Sequence, residues 1–297
     1  MNSTNKSYFF AGISVLLWST VATSFKIGLR ELDFIQLIFY ASAVAVVILF
    51  GIILMQGKIQ LLFRQSAGQL FYSLFLGAFN PLFYYLVLFK AYSLLPAQLA
   101  QPLNMVWPIV LTLLSVPFLG QKIGKWSIVG LFVSFTGVVF ISSQGGWSGF
   151  QNTSMYGVLL ALGSSVIWSL YWILNVRDKR DAVIKLFLSF FFGLIFLTGV
   201  MFLFSGFRVE AGTGILAAVY VGIFEVGITY VFWMKALQHS TNNAKTGNLI
   251  FLTPFLSLIF IRFILKETLF ITTFIGLIFI VAGIFVQRLD KKAQRFS

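Results

Sequence analysis

The chain has 297 residues, of which 59% are hydrophobic and 10% charged, with a mean hydropathy of +0.95. A soluble domain is about 45–50% apolar and about 25% charged, so a water-soluble globule, a disordered chain and a collagen-like fibre are excluded and an integral membrane protein remains. Lys and Arg number 21 against 8 Asp and Glu, a net charge of +13, yet no basic cluster interleaved with aromatics points to nucleic acid, and the absence of Cys removes disulfides, thiolate metal sites and cysteine nucleophiles.

Polar punctuation divides the sequence into ten apolar runs, roughly 8–28, 34–55, 69–91, 97–119, 126–143, 156–176, 183–204, 212–237, 246–265 and 269–287. Their lengths suit helices of about 20 residues rather than barrel strands of about 9–11, and strict polar/apolar alternation is missing. The expected fold is an all-α polytopic membrane protein with ten transmembrane helices. The first run is read as a permanent helix, because its flank carries only Lys6 and no small-residue cleavage site follows. With both termini in the cytoplasm, most Lys and Arg fall on the inner side and only Lys26, Arg30, Lys90, Arg208, Arg262 and Lys266 on the outer side, as the charge bias of membrane helices requires.

Along the runs, landmarks recur. Trp18-Ser19 returns as Trp168-Ser169, Lys90-Ala91 as Lys235-Ala236, Pro108 as Pro254, Gly130 as Gly276 and Gly137 as Gly283, at offsets of 150, 145, 146, 146 and 146. Each copy holds five helices, an odd number, so the second copy must cross the membrane in the opposite sense. Two inverted five-helix repeats are expected, residues 1–145 and 155–297, joined by the uncharged linker 146–154. Inverted halves can exchange inward-facing and outward-facing shapes at similar energy, which is a transporter signature.

In the third run Asn80 precedes Pro81, a local helix break, and the repeat sets it opposite Glu225 at an offset of 145. Glu225, near the middle of the eighth run, is the only carboxylate deep in an apolar run, and a charge there costs at least a few kcal/mol. Such a group suits proton carriage or contact with a cationic amine; the plain alternative is a protonated Glu that only packs. Pro81, Pro108 and Pro254 are the expected hinges, since each removes a backbone hydrogen bond. Around them Gln98, Gln101, Asn104 and Asn248 give the fourth and ninth runs a set of amides, expected to line a pore. Tyr84, Trp107, Trp168 and Trp172, with Trp18, Tyr85 and Tyr171, offer an aromatic wall for a flat or amphiphilic substrate. Lys90 and Lys235 suit either snorkelling or a gate. The glycine pairs 130/137 and 276/283, seven residues apart, each occupy one helix face for close helix approach.

The early Trp-Ser of each half resembles the ten-helix EamA-type exporters of the drug/metabolite transporter superfamily. So do Ala91 to Ala97 followed by Pro108, and the second copy with Ala236, Thr253-Pro254-Phe255, Leu265-Lys266-Glu267 and the two glycines. The resemblance covers about residues 8–143 and 155–287. In similar proteins an acidic residue follows the fourth helix of each half; Glu267 fits, whereas the first half carries Gln121. The resemblance implies two inverted repeats around a central cavity that moves small organic metabolites.

The expected function is secondary transport by alternating access, with export of amino acids or related amphiphilic compounds and Glu225 as the candidate for proton coupling. An importer or exchanger is the nearest alternative, a channel or lipid-handling protein a more distant one. Gly120 to Lys125 lacks the spacer and the Ser/Thr of a phosphate loop, and one His excludes a zinc-protease pair, so no enzyme signature survives. No cofactor or metal is expected. The expected partners are a small-molecule substrate, the lipid bilayer and protons, in a bacterial inner membrane. A monomer holding both halves suffices for this mechanism, and a dimer stays open.

Overall fold

Inside a bilayer every backbone N–H and C=O must be paired within the protein, and a single chain segment achieves this as an α-helix. The computed structural model, which describes residues 3–120, 124–146, 151–240, 246 and 249–289, is accordingly helical, with no strand among the described residues. In chain order, α1 is Ser3–Gly28, α2 Phe34–Met55, α3 Ala67–Leu94, α5 Lys125–Ser142, α6 Met155–Arg177, α7 Ala182–Phe204, α8 Thr213–Gln238, α9 Leu249–Leu265 and α10 Ile271–Gln287. Between α3 and α5, α4 runs in two pieces, Ala97–Asn104 and Trp107–Leu119. Eight of these helices are long and apolar enough to cross a bilayer, and α9 and α10 are shorter apolar helices. The five-residue helix Ile59–Phe63 sits in the α2–α3 connection, too short to register as an apolar run.

Side chains sort by what surrounds them. Phe71, Phe132, Phe202 and Phe263 are 67–77% exposed, which suits a lipid-facing surface. Leu37, Leu49, Phe89, Leu99 and Leu103 are fully buried between helices. Equivalent elements meet antiparallel. A Cβ at Gly130 would lie 2.5 Å from the Gly283 carbonyl oxygen, and one at Gly137 would collide with that of Gly276, so α5 and α10 touch backbone to backbone in opposite directions. Ser134 Oγ donates to the Ile280 carbonyl in the same seam at 3.1 Å. The sequence expectation of a close glycine face is met here, and each face has the other as its partner.

Other contacts occur twice. Gly77 of α3 abuts the Ser189 carbonyl of α7, and Gly222 of α8 abuts the Ala41 carbonyl of α2, each leaving 2.5 Å for an added Cβ. α1 crosses to α8 and α9, with Ser14 Oγ donating to the Thr229 carbonyl at 3.4 Å and Ser257 Oγ to the Ser19 carbonyl at 2.7 Å. α6 crosses to α3 and α4, with Tyr72 Oη donating to the Leu174 carbonyl at 2.8 Å and Ser169 Oγ to the Trp107 carbonyl at 2.9 Å. The first helix of each set of five therefore packs into the other set.

Both ends of the bundle carry an acidic clasp. At one, Glu31 accepts hydrogen bonds from Thr213 Oγ1 (2.5 Å) and the Gly214 amide (2.6 Å) at the start of α8, and Asp33 caps α2 while accepting from Ser205 Oγ at 2.5 Å. The Thr213 and Gly214 bonds hold the Glu31 carboxyl below its ordinary pKa. At the other end, Arg180 grips Asp178 at 2.6 Å and reaches Gln65 Oε1 (2.9 Å) and Ser73 Oγ (2.8 Å). Asp181 caps α7 and pairs with Lys58 Nζ at 2.7 Å. Burial opposes ionisation of Asp178 and Asp181, but hydrogen bonds and charge from Arg180 and Lys58 outweigh it and hold both carboxyls below their ordinary values. Tyr72, Arg177, Asp178 and Lys179 line an open cleft of about 670 Å³ beside this second clasp.

Candidate functional site

α3 and α8 are each interrupted at mid-length by a six-residue π-helical segment, Ala78–Phe83 and Gly222–Gly227. The two lie 144 residues apart in the chain, so equivalent helices break at the same level. A π turn widens the helix and frees backbone groups, a feature found often at functional sites. In α3 the break contains Pro81, which has no N–H to donate, and Asn80 leaves helical geometry at φ −143° and ψ 115°. In α8 no proline is present in the break; Thr229 Oγ1 donates to the Phe224 carbonyl within it.

Glu225 stands inside the α8 break. Tyr85 Oη of α3 donates to its Oε1 at 2.9 Å, and Trp18 Nε1 of α1 donates to its backbone carbonyl at 3.1 Å. The residue is thus tied to α1 through its backbone and to α3 through its side chain, and it is half-buried at mid-helix. Trp18 packs edge-on against Tyr230 (5.7 Å between ring centroids) and against Trp233 (5.5 Å). On the other side Tyr84 stacks on Trp168 at 4.7 Å, and Trp168 meets Tyr171 at 5.5 Å and Trp172 at 5.9 Å. Tyr84 Oη also donates to Asn104 Oδ1 at 3.3 Å, while Asn104 Nδ2 donates to Ser164 Oγ at 2.8 Å. These aromatics form two clusters, one at Trp18 and one at Trp168; Tyr85, 4.7 Å from Tyr84, is linked to Trp18 through Glu225.

The structure brings together Tyr84, Asn104, Trp168, Trp172 and Glu225 from the sequence-derived set. Trp107, half-buried, joins through its carbonyl, which accepts from Ser169 beside Trp168. Asn80 and Gln101 are buried, and Asn80 Oδ1, Gln101 Oε1 and Trp172 Nε1 have no hydrogen-bond partner. Gln98 is placed elsewhere: its amide donates to the Thr268 carbonyl at 2.7 Å and accepts from Thr273 Oγ1 at 3.2 Å, joining α4 to the start of α10. Asn248 and Gln121 lie outside the described residues. Pro81 sits in the α3 break, whereas Pro108 and Pro254 occupy the first turn of the helical pieces Trp107–Leu119 and Thr253–Phe260. At Pro108 the interruption falls just before, at Met105 and Val106, and a first-turn proline needs no N–H partner.

Glu267 acts as a helix cap, its carboxylate accepting from the Ala97 and Gln98 amides at 2.9 and 3.2 Å at the start of α4. Lys26 beside it donates to the Tyr92 and Leu95 carbonyls at the end of α3. Lys90 and Lys235 lie over the rings of Phe34 and Phe10 at 5.0 and 5.6 Å. Tyr230 and Trp233 extend the site beyond the sequence-derived set. Tyr230 was within reach, since the 146-residue offset of the paired prolines leads from Tyr84 to it; Trp233 carries no such signal.

The EamA-like transporter family model matches residues 5–143 and 155–288. An uncharacterized transporter, YvbV, of Bacillus subtilis is 28% identical over 210 residues, 68% of this chain and 66% of that protein. The aromatic amino acid exporter YddG of Ancylobacter novellus is 30% identical over 160 residues, 53% of this chain and 54% of that protein. A solved crystal structure aligns with a TM-score of 0.64 at 21% identity, covering 96% of this chain and 97% of that one, and shares the fold. Two family matches that span nearly the whole chain, on a helical bundle with a polar centre at mid-helix, fix the assignment: the chain belongs to the EamA-like transporter family.

Proposed function

We propose that this chain is a secondary transporter of small organic metabolites that works by alternating access and exports amino acids or related amphiphilic compounds. In this reading residues 1–145 and 155–297 are inverted repeats joined by 146–154, and they rock about a centre at Glu225. The observation that carries the reading is Glu225 itself, half-buried at mid-membrane and bonded to Tyr85 between two helices that both break at that level. Carriers commonly build their sites from discontinuous helices near the bilayer midplane. The antiparallel α5–α10 seam and the doubled α3–α7 and α8–α2 contacts support an inverted relation.

Alternation needs two arrangements of similar energy. An acidic clasp at each end supplies comparable contacts for closing either side. Glu225 couples the cycle to protons by exchanging its proton with the substrate or with water that enters the centre. The protein sits in a bacterial inner membrane with both termini cytoplasmic. Reconstituted into proteoliposomes, it takes up substrate with saturation and trans-stimulation, and an imposed pH gradient drives accumulation. A Glu225→Gln variant that folded and kept full gradient-dependent uptake would remove Glu225 from the coupling.

A further inference from the structure

Among the described residues, the site at Glu225 holds one acidic group and no basic one. Ion pairs among the described residues are confined to the loops, at Lys58–Asp181 and Arg180–Asp178. Of the lysines on α1, α3 and α8, Lys6 is exposed near the start of α1, Lys26 donates to the Tyr92 and Leu95 carbonyls, Lys235 lies over Phe10 and Lys90 over Phe34. The ring that touches the carboxylate is Tyr85, and further aromatics pack near it: Trp18, on the Glu225 carbonyl, with Tyr230 and Trp233, and Tyr84, against Tyr85, with Trp168. Aromatic faces attract cations, most strongly where water is excluded. Open buried polar atoms include the acceptors Asn80 Oδ1 on α3 and Gln101 Oε1 on α4, and the donor Trp172 Nε1 on α6.

We infer that this centre takes its substrate as an organic cation, a protonated amine on a flat aromatic or apolar body, and discriminates against the corresponding free acid. The inference rests on the carrier reading above and names the substrate class of the same site. An ammonium beside the Glu225 carboxylate makes a neutral pair, which lowers the cost of holding either charge in the membrane interior. A substrate carboxylate there meets no cation, loses its hydration and faces a like charge. A zwitterionic amino acid sits between the two, its amine welcomed and its carboxylate unpaired.

The test uses the full chain with three probes that share an indole ring: tryptamine, tryptophan and indole-3-propionate. Binding is measured by calorimetry in detergent and transport by counterflow in proteoliposomes. Tryptamine should bind at least about tenfold more tightly than indole-3-propionate, with tryptophan between them, a difference of about 1.4 kcal/mol. Glu225→Gln should erase the preference by weakening tryptamine and leaving the acid unchanged or improved. Tyr85→Phe, which keeps the carboxylate, should retain the rank order, so the inference stays testable even if the Gln variant fails to fold. Equal or tighter binding of the acid, or no binding of tryptamine, overturns the inference. Tryptamine binding without counterflow defeats the carrier reading and leaves the cation preference standing, whereas counterflow of the acid undisturbed by tryptamine does the reverse.

Discussion

At the α5–α10 seam and at the Glu225 centre, helices from the two sets of five meet, and the two meetings have opposite character. At the seam, Gly130, Gly137, Gly276 and Gly283 bring two backbones together with no room for a methyl group, and Ser134 is satisfied on the Ile280 carbonyl. At the centre the helices are broken, the side chains are Trp and Tyr, the carboxylate is half-buried, and amide oxygens lack partners. Lipid supplies no hydrophobic drive between helices, so packing and hydrogen bonds decide how firmly two of them hold. Small residues in backbone contact make a fixed joint, even with Gln287 Nε2 buried there without a partner. Large rings with open polar groups make a place whose contacts are completed by something that comes and goes.

The largest effect belongs to the seam. Gly137→Leu would force a side chain onto the Gly276 backbone; overpacking a core ordinarily costs about 1–3 kcal/mol, and with rigid backbone opposite the cost exceeds that range. Size-exclusion profiles in detergent should show loss of the monodisperse folded species. A Leu variant as stable as the parent would mean that the seam yields, and the contrast would fail.

Glu225→Gln separates the two regions most clearly. Removing a carboxylate from the membrane interior relieves an electrostatic cost, so the thermal midpoint should stay at or above that of the parent while gradient-driven uptake is lost. Collapse of the fold would instead assign Glu225 to packing.

The clasps are intermediate. Asp181→Ala removes the α7 cap and the Lys58 pair, in side chains 27% and 32% exposed, at a cost of about 1–2 kcal/mol, most of it from the cap. Asp178 and Asp181 have carboxyl pKa values held below the ordinary range. Their stabilisation is therefore complete above the unfolded-state value of about 3.9 and is lost as the pH falls through the lower folded-state values. Thermal unfolding across that acid limb should be steeper in the parent than in Asp181→Ala.

Tyr85→Phe is the mildest. It deletes one hydrogen bond within the protein, to Glu225, worth about 0.5–1.5 kcal/mol of stability, so the thermal midpoint should fall slightly and KM should shift because the carboxylate is no longer held. An unchanged KM would take Tyr85 out of the site.

The span boundaries were legible because apolar runs in a membrane protein record bilayer thickness directly, and the paired glycines and Trp-Ser landmarks survived as visible repeats. Glu225 and Asn80 were legible for a similar reason: a carboxylate or an Asn-Pro step in an apolar run is costly enough to stand out. The π break of α8 was not, since Gly222–Gly227 contains no proline and its only polar residue is Glu225. Nor was the assignment of Gln98 to the α4–α10 joint, because an amide in an apolar run reads alike whether it lines a cavity or ties two helices. The clasps escaped notice because they join loops far apart in sequence, such as Glu31 with Thr213.

The central claim is that the aromatic centre beside Glu225 opens in turn to both sides of the membrane. The chain has no native Cys, so a single Trp168→Cys variant can be treated with a membrane-impermeant maleimide in right-side-out and in inverted vesicles. The account predicts labelling in both preparations. Labelling in only one of them, or in neither, would contradict it.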